Sequence, residues 1–277
     1  MTAHNPADIH SEFSRHGVVR LQDALDARWL REAEAAYNWS IENQSPNASN
    51  YNKDDSSTFY VDTGNPAALP VYADFLQRSP IADIVSTVWA SPEVQFAFEQ
   101  VFHKLGGSER SQRTGWHQDS SYLSFQGEHL AVMWITFDEV PKELALEFVR
   151  GTQRGPLYEQ RGVANPSRPE VPKIESARDN FDIVGWPIVP GDVLLFHPAT
   201  LHGGGGTAAG GRRRTLSLRF IGQDATFARR PAGGDTPPAF VEMNETMRDG
   251  EPFRHPSFLK LRPLSNVHQP TKTWRQP

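Results

Sequence analysis

Two histidines and one carboxylate carry the chemistry that this chain is equipped to do. His117 and Asp119 stand two residues apart in Trp116-His117-Gln118-Asp119, and His202 lies far downstream in Leu201-His202-Gly203. In extended backbone, residues i and i+2 project from one face, so His117 and Asp119 can grip a single ion together. A second imidazole from a distant strand completes a set of three and leaves the remaining positions open. Two imidazoles with one carboxylate suit non-haem Fe(II). The His-x-Asp pair alone is a common accident, and its context gives it weight. His202 is preferred to His197 as the third ligand because it sits where an apolar strand gives way to glycines, at the mouth of a sheet. His197 precedes Pro198 on the buried run and reads as a structural histidine.

A second informative stretch follows the glycines. Arg213, Thr215, Ser217 and Arg219 alternate with Arg214, Leu216, Leu218 and Phe220, so one strand face is apolar and the other hydrogen-bonding. A polar face inside a core is costly unless something charged binds there. Arg213 lies 11 residues after His202, and its guanidinium near a metal can clamp a carboxylate with two parallel hydrogen bonds. Because Arg212-Arg213-Arg214 is also a charge run, a surface ion-pair cluster is equally compatible. Tyr122 and Phe125, just past the metal loop, either line a substrate pocket or pack the mouth of the sheet.

The elements that must position these residues are legible in outline. Asp8 to Leu21 reads as a short helix into a strand. Asp26 is placed to cap a helix whose stripe is Trp29, Leu30, Ala33, Ala36, Tyr37 and Ile41. Residues 43–57, rich in Asn, Ser and Asp, form a loop that is either a lid or a plain surface excursion. Ser79-Pro80 opens a further helix with Ser79 as N-cap, and its stripe is Ile81, Ile84, Val85 and Val88. Val94 to Lys104 alternates strictly, which predicts Val94, Phe96, Phe98, Gln100, Phe102 and Lys104 on one face. Ala97, Glu99, Val101 and His103 fall on the other. A polar loop, Gly106 to Arg113, leads into the His-x-Asp segment. Strands follow at His129 to Val140, Leu146 to Gly151, Ile183-Val184, Asp192 to Phe196 and Thr215 to Ile221, with a long Pro-rich excursion over 155–180. The Gly203–Gly206 run lacks the lysine and helix of a phosphate loop and reads as a flexible turn between core strands. A weak helix is expected near Phe240 to Met247, and a loosely held tail from Pro263. Helices followed by many short strands predict an α+β, mainly β protein built on an antiparallel sandwich or barrel.

Composition narrows the function classes. The 277 residues, 38% hydrophobic and 10% aromatic, suffice for a packed core and fit one large domain. Without cysteine, disulfides, thiolate metal sites and a cysteine nucleophile are excluded. A net charge of −5 exerts no global pull toward nucleic acid or membrane. The N-terminal residues have no apolar signal region and no run of 18 apolar residues occurs, so a cytoplasmic protein is expected.

In several ordered motifs the chain resembles the phytanoyl-CoA dioxygenase (PhyH-like) family. These are Phe13-x-x-x-Gly17-Val18-Val19, Trp116-His117-Gln118-Asp119, Trp134-Ile135 and Leu146 to Arg154. Gly191 to Phe196, Leu201-His202-Gly203 and Arg213-x-x-Leu216-Ser217-Leu218-Arg219-Phe220 complete the set. The resemblance covers about residues 10–222 of a single 1–277 domain, leaving 223–277 as a C-terminal extension. It implies a double-stranded β-helix (jelly-roll, cupin-like) with flanking N-terminal helices, and Fe(II) held by His117, Asp119 and His202. It also implies 2-oxoglutarate as co-substrate with its distal carboxylate on Arg213, Trp134 and Lys104 near it, and O2 as oxidant. The reaction implied is hydroxylation of a C–H bond of a small metabolite or natural-product intermediate, with release of succinate and CO2. The intact Asp119 favours hydroxylation over halogenation, since related halogenases replace that carboxylate with a small residue. Two positions depart from the pattern: Gly204 stands where many relatives have Ser, and Glu143-Leu144-Ala145-Leu146 where Asn-Gly-x-Leu is usual. The residues alone also admit a cupin-like hydrolase or isomerase using Zn(II) or Mn(II), and a non-catalytic binding protein on the same scaffold. Oligomeric state is not legible in the sequence.

Overall fold

Asn5 accepts a hydrogen bond from the Ala7 amide and Pro6 occupies the first turn, so the chain enters helix α1 (Pro6–His16) at once. The computed structural model describes residues 5–51, 57–107, 113–159, 167–230 and 238–263. Gly17, with φ 73°, ends α1 and turns the chain into β1 (Val18–Leu21). Helix α2 (Ala27–Glu42) is capped as expected: Asp26 accepts from the amides of Arg28 and Trp29. The short β2 (Ser49–Asn50) pairs with β3 (Thr58–Thr63). Ser45 is tied to Asp62 of β3 through its amide (2.9 Å) and its hydroxyl. The expected 43–57 loop is thus anchored at its start, and its residues 52–56 lie outside the described residues.

Helix α3 (Leu69–Arg78) was not foreseen. It has no side-chain cap, and Pro70 in its first turn reads as a breaker when the sequence is scanned without tertiary context. Ser79 is therefore the C-terminal cap of α3, and Pro80 precedes α4 (Ile81–Trp89). The Ser79 hydroxyl still accepts from the Ile81 amide at 3.4 Å.

The strands follow as β4 (Val94–Leu105), β5 (Thr114–His117), β6 (Phe125–Gln126), β7 (Leu130–Thr136), β8 (Leu146–Val149) and β9 (Ile183–Val184). Then come β10 (Val193–Phe196), β11 (His202–Gly204), β12 (Arg212–Ile221), β13 (Thr226–Phe227), α5 (Pro238–Thr246) and β14 (Leu259–Arg262). The larger sheet runs β1-β10-β7-β12-β4-β3-β2 with β14 added against β4; the smaller runs β5-β11-β8-β9. All of these pairings are antiparallel. The sheets face one another across Val18, Val132, Trp134, Leu194 and Phe196 on one side and Phe148 on the other. This is the expected double-stranded β-helix, open rather than closed into a barrel.

The outer face of the large sheet is covered by the helices. Tyr37, Tyr72, Leu76, Ile81, Val85 and Val88 pack there against Met133, Ile135, Leu195, Leu216, Leu218 and Phe220. Each such fully buried large side chain contributes roughly 1.5–3 kcal/mol, so this layer holds the inner face rigid. Asp192 explains the Gly191-Asp192 motif: it is buried, accepts from Arg20 (2.7 Å) and from the Asp23 amide (3.1 Å), and so ties β1 to the entry of β10.

One strand departs from its expected faces. A bulge at Ala97 interrupts the β4–β12 register, so Arg219 pairs with Phe98 and Phe220 with Phe96. The extra residue reverses alternation there. Val94 and Phe96 join the helix-covered layer with Val101, while Phe98 belongs to a separate cluster. The reading that placed Val94 to Lys104 on one continuous face is corrected accordingly.

The glycine run also differs from expectation. Residues 203–206 are buried, and Gly203 and Gly204 are part of β11 rather than of a flexible turn. Residues 223–263 include α5 and β14, and Phe240, Met243, Phe253 and Phe258 pack on Phe98, Leu123 and Phe125. The part of the Gly106–Arg113 loop at 108–112, the part of the 155–180 excursion at 160–166 and the tail beyond Pro263 lie outside the described residues. Among the described residues no helix is long and apolar enough to cross a membrane.

Candidate metal centre

His117 ends β5, Gln118 keeps extended backbone (φ −123°, ψ 128°), and Asp119 opens a short 3-10 turn, Asp119–Ser121. That one extended residue keeps His117 and Asp119 on the same face. His202 on β11 pairs directly with His117 across the antiparallel ladder. The Asp119 Oδ1 lies 3.5 Å from His117 Nε2 and 3.6 Å from His202 Nε2. One ligand atom from each of the three residues falls within 4.8 Å of the others, the one such group among the described residues.

The local backbone settles which nitrogen faces inward. His117 Nδ1 is 2.9 Å from the Gly115 carbonyl and His202 Nδ1 is 2.9 Å from the Thr200 carbonyl. A carbonyl can only accept, so both Nδ1 atoms carry the proton and both Nε2 lone pairs point at the gap beside Asp119. Burial pushes His202 down to about 4, with the neighbouring His117 acting in the same direction. It is therefore neutral at physiological pH, as a metal ligand must be. Burial alone would raise Asp119. The close contact with His117 and the Arg219 guanidinium overcome that and hold it well below the usual carboxylate range.

Asp119 is also held in place from both sides. Tyr122 donates its hydroxyl to Oδ1. Arg219 Nη2 donates to Oδ2 at 3.1 Å and to Gln100 Oε1 at 2.6 Å, with its guanidinium over the Phe98 ring. The sequence places Arg219 only on the polar face of its strand, with no role of its own. Its position on the same strand face as Arg213, six residues on, is the signal that it too points into the site. Arg219→Met is expected to weaken Fe(II) binding by about 10- to 100-fold, the usual effect of removing a group that orients a metal ligand. Metal titration of the folded variant checks this, and an unchanged affinity would reduce Arg219 to a packing role.

His197 takes no part. Its Nε2 donates to the Gly127 carbonyl at 3.0 Å and its Nδ1 accepts from the Ala199 amide at 3.1 Å. Phe125 packs among Phe240 and Phe253 in the core. Of the two aromatics proposed for the pocket, only Tyr122 touches the His117–Asp119–His202 set.

Behind the triad the polar face of β12 points inward, as its alternation required. Arg213, Thr215, Ser217 and Arg219 are all buried. Along this row Arg213 Nε, Thr215 Oγ1 and Arg219 Nε are buried without hydrogen-bond partners among the described residues. Trp134 lies beside Ser217 on the neighbouring strand, and Lys104 lies beside Arg213 on the other. Arg212 and Arg214, on the opposite face, pair with Asp138. The charge run is thus divided by strand alternation, and Arg213 is not part of a surface ion-pair cluster.

Arg213 and Lys104 are two buried basic groups without a carboxylate partner among the described residues. Arg213 Nη1 donates to the carbonyls of Leu144 (3.2 Å) and Gly206 (3.1 Å), and Lys104 Nζ to that of Gly205 (3.1 Å). Burial lowers Arg213 to about 10. Burial, and then the charge of Arg213, lowers Lys104 to about 6. Such an arrangement is unfavourable unless an anion binds between them. The glycines make room for it. Gly204 and Gly205 have φ of 85° and 76°; a Cβ on Gly204 would lie 2.8 Å from the Ala145 carbonyl, and one on Gly205 2.9 Å from the Arg213 guanidinium. Gly205→Ala is expected to weaken binding of a dicarboxylate at least about tenfold, by misaligning the charged hydrogen bonds of Arg213, while metal affinity stays as it was. Calorimetric titration distinguishes the two effects.

Comparison with known proteins places these features. The family model described as phytanoyl-CoA dioxygenase (PhyH) matches residues 13–215. No curated protein matches the chain by sequence. Among solved structures, the epimerase SnoN in complex with Fe3+, alpha ketoglutarate and nogalamycin RO superposes with a TM-score of 0.69 at 20% identity, covering 93% of this chain and 100% of that one. The non-heme alpha ketoglutarate dependent carbocyclase SnoK from nogalamycin biosynthesis gives 0.68 at 15%, covering 94% and 97%. EctD from S. alaskensis with 2-oxoglutarate and 5-hydroxyectoine gives 0.61 at 20%, covering 91% and 87%.

Proposed function

The chain belongs to the phytanoyl-CoA dioxygenase family, and on that premise we propose that it is an Fe(II)- and 2-oxoglutarate-dependent oxygenase that hydroxylates a C–H bond of a small molecule. The observation that carries this reading is the pairing of two features. A converging His117–Asp119–His202 set stands next to a buried, uncompensated Arg213–Lys104 pair. A hydrolase or isomerase using the same three ligands has no need of the second feature. The solved relatives include proteins described with iron and with 2-oxoglutarate, which supports the same cofactor pair here.

In this reading His117, Asp119 and His202 hold the iron. Arg213 and Lys104 receive the distal carboxylate of 2-oxoglutarate, and Trp134 lines the same inner face. The donor set fits Fe(II), and the orphaned polar atoms along β12 fit a polar co-substrate. Iron and 2-oxoglutarate, when bound, supply an oxidant able to take hydrogen from a C–H bond, with O2 consumed and succinate and CO2 released.

The chain's own residues do the rest. Asp119 stays ionised because the close contact with His117 and the Arg219 guanidinium offset its burial. The Gly115 and Thr200 carbonyls hold both imidazoles in the ligating tautomer. The apolar contact between the sheets, centred on Phe148 and Phe196, excludes water from the inner side. The His117 side chain is 24% exposed against 6% for His202, so the substrate approaches from the His117 side.

The test is incubation with small-molecule candidates, Fe(II), 2-oxoglutarate and isotopically labelled dioxygen. Succinate together with a product carrying one labelled oxygen is the expected result. Succinate with a product of unchanged composition would replace hydroxylation by epimerisation. Turnover without succinate would remove the oxygenase reading.

A further inference from the structure

The turn that begins with Asp119 is gripped from outside by two arginines. Arg230 Nε donates to the Ser120 carbonyl at 3.1 Å, and Arg168 Nη1 to the Ser121 carbonyl at 3.0 Å. These are consecutive carbonyls, one and two residues past a metal-ligating position. Neither arginine has an ion-pair partner among the described residues, whereas Arg20, Arg150, Arg178, Arg214 and Arg219 each hold a carboxylate. Asp249 is the acid whose field reaches Arg230, and its own hydrogen bond goes to the Arg229 amide at 2.6 Å. Among the described residues Arg230 Nη1 makes only a long contact to the Arg229 carbonyl (3.4 Å), and its Nη2 is buried without a partner.

Capping two carbonyls does not require this arrangement. Each guanidinium offers five donors in a planar fork, and among the described residues Arg168 and Arg230 spend one and two of them on backbone oxygens. Placing a second cation beside a largely buried one costs energy that the carbonyl contacts do not recover. Burial, and then the nearby Arg168, pushes Arg230 down to about 10. An anion between the forks would satisfy the orphaned donor and remove the repulsion.

We propose that Arg168 and Arg230 form a subsite for an anionic group of the substrate, a phosphate or a carboxylate, anchored on the turn that carries Asp119. The proposal rests on the oxygenase reading and narrows its substrate to an acid or phosphate ester. The anionic end is held at Ser120–Ser121, one and two residues past Asp119. This subsite is separate from Arg213 and Lys104, which face the interior from the other end of β12 and its neighbour.

The experiment uses the full chain, isotope-labelled at arginine nitrogen and loaded with Zn(II) in place of iron and with 2-oxoglutarate. Side-chain Nε–H signals are assigned with R168K, R230K and R213K. Inorganic phosphate and acetate are the probes. The expected result is that one or both shift the Arg168 and Arg230 signals together, with Kd on the order of 1 mM. Tighter phosphate binding identifies a phosphoryl group, and comparable acetate binding a carboxylate. R168M should weaken the response read at Arg230 at least about tenfold, with R168K intermediate. Because Arg168 is partly exposed, this readout survives even if R230M does not fold. Signals unmoved by either anion, or an Arg230 response unaltered in R168M, would overturn the subsite. In a matching Zn(II)-loaded sample prepared without 2-oxoglutarate, the Arg213 signal must respond when 2-oxoglutarate is added. If it does not, the oxygenase reading fails, and the arginine result is still read separately.

Discussion

Replacing His117 with alanine is expected to lower Fe(II) affinity by about two to three orders of magnitude in a protein that still folds. A four-ligand structural site binds its metal with about 10–16 kcal/mol, so one ligand is worth about 2.5–4 kcal/mol, and each 1.4 kcal/mol is tenfold. His117 is the partly exposed member of the set, so its loss leaves no buried charge behind. Asp119→Ala should cost iron equally but stability as well, because Arg219 Nη2 would lose the carboxylate at 3.1 Å that its buried charge faces. His197→Ala provides the contrast. It removes hydrogen bonds to Gly127 and Ala199 and should lower Tm while iron stoichiometry stays at the wild-type value. Iron content measured after desalting, alongside thermal unfolding, separates the three. Full iron content in the His117 variant would sink the ligand assignment.

Arg213→Met should raise the Kd for 2-oxoglutarate by about 30-fold or more without touching iron affinity, since truncating one partner of a buried charged pair costs about 2–5 kcal/mol. The companion effect concerns Lys104 and pH. Its ordinary value is 10.5, lowered here to about 6, so at pH 7.5 the free protein holds it mainly neutral. An arriving carboxylate favours the charged form and raises the value, so binding takes up a proton. Affinity for 2-oxoglutarate should therefore fall as pH rises above about 6, by up to tenfold per pH unit for one proton bound. Calorimetry in buffers of different ionisation enthalpy measures that proton directly. Lys104→Met should abolish the uptake and flatten the pH dependence, and uptake unchanged in that variant would remove Lys104 from the co-substrate site.

These effects can be traced to features of very different legibility. The triad was readable because an extended His-x-Asp needs only strand geometry, and because the edge between an apolar run and glycines marks a sheet mouth. The inward polar face of β12 was readable for the same reason: alternation places Arg213, Thr215, Ser217 and Arg219 together whatever the rest of the chain does. What alternation could not reveal was the bulge at Ala97, which exists only in the register of β4 against β12. Helix α3 stayed hidden because it has no capping side chain and carries Pro70 in its first turn. The glycine run looked like slack chain. In the fold it is a buried edge whose carbonyls hold Arg213 and also Lys104, which lies 101 positions earlier. The orienting role of Arg219 is of the same kind, because its carboxylate partner lies 100 residues earlier. Local pattern located the three side chains that converge. The groups that orient them belong to the tertiary structure.

The most direct measurement of the central claim is an anaerobic titration of Fe(II)-loaded protein with 2-oxoglutarate, followed by visible absorption. The account predicts a weak charge-transfer band that saturates at one equivalent in the wild type, is absent in His117→Ala, and needs far more 2-oxoglutarate in Arg213→Met. A folded, iron-loaded wild-type protein in which no band develops would contradict it, and would leave the His117–Asp119–His202 set to hydrolytic or binding chemistry.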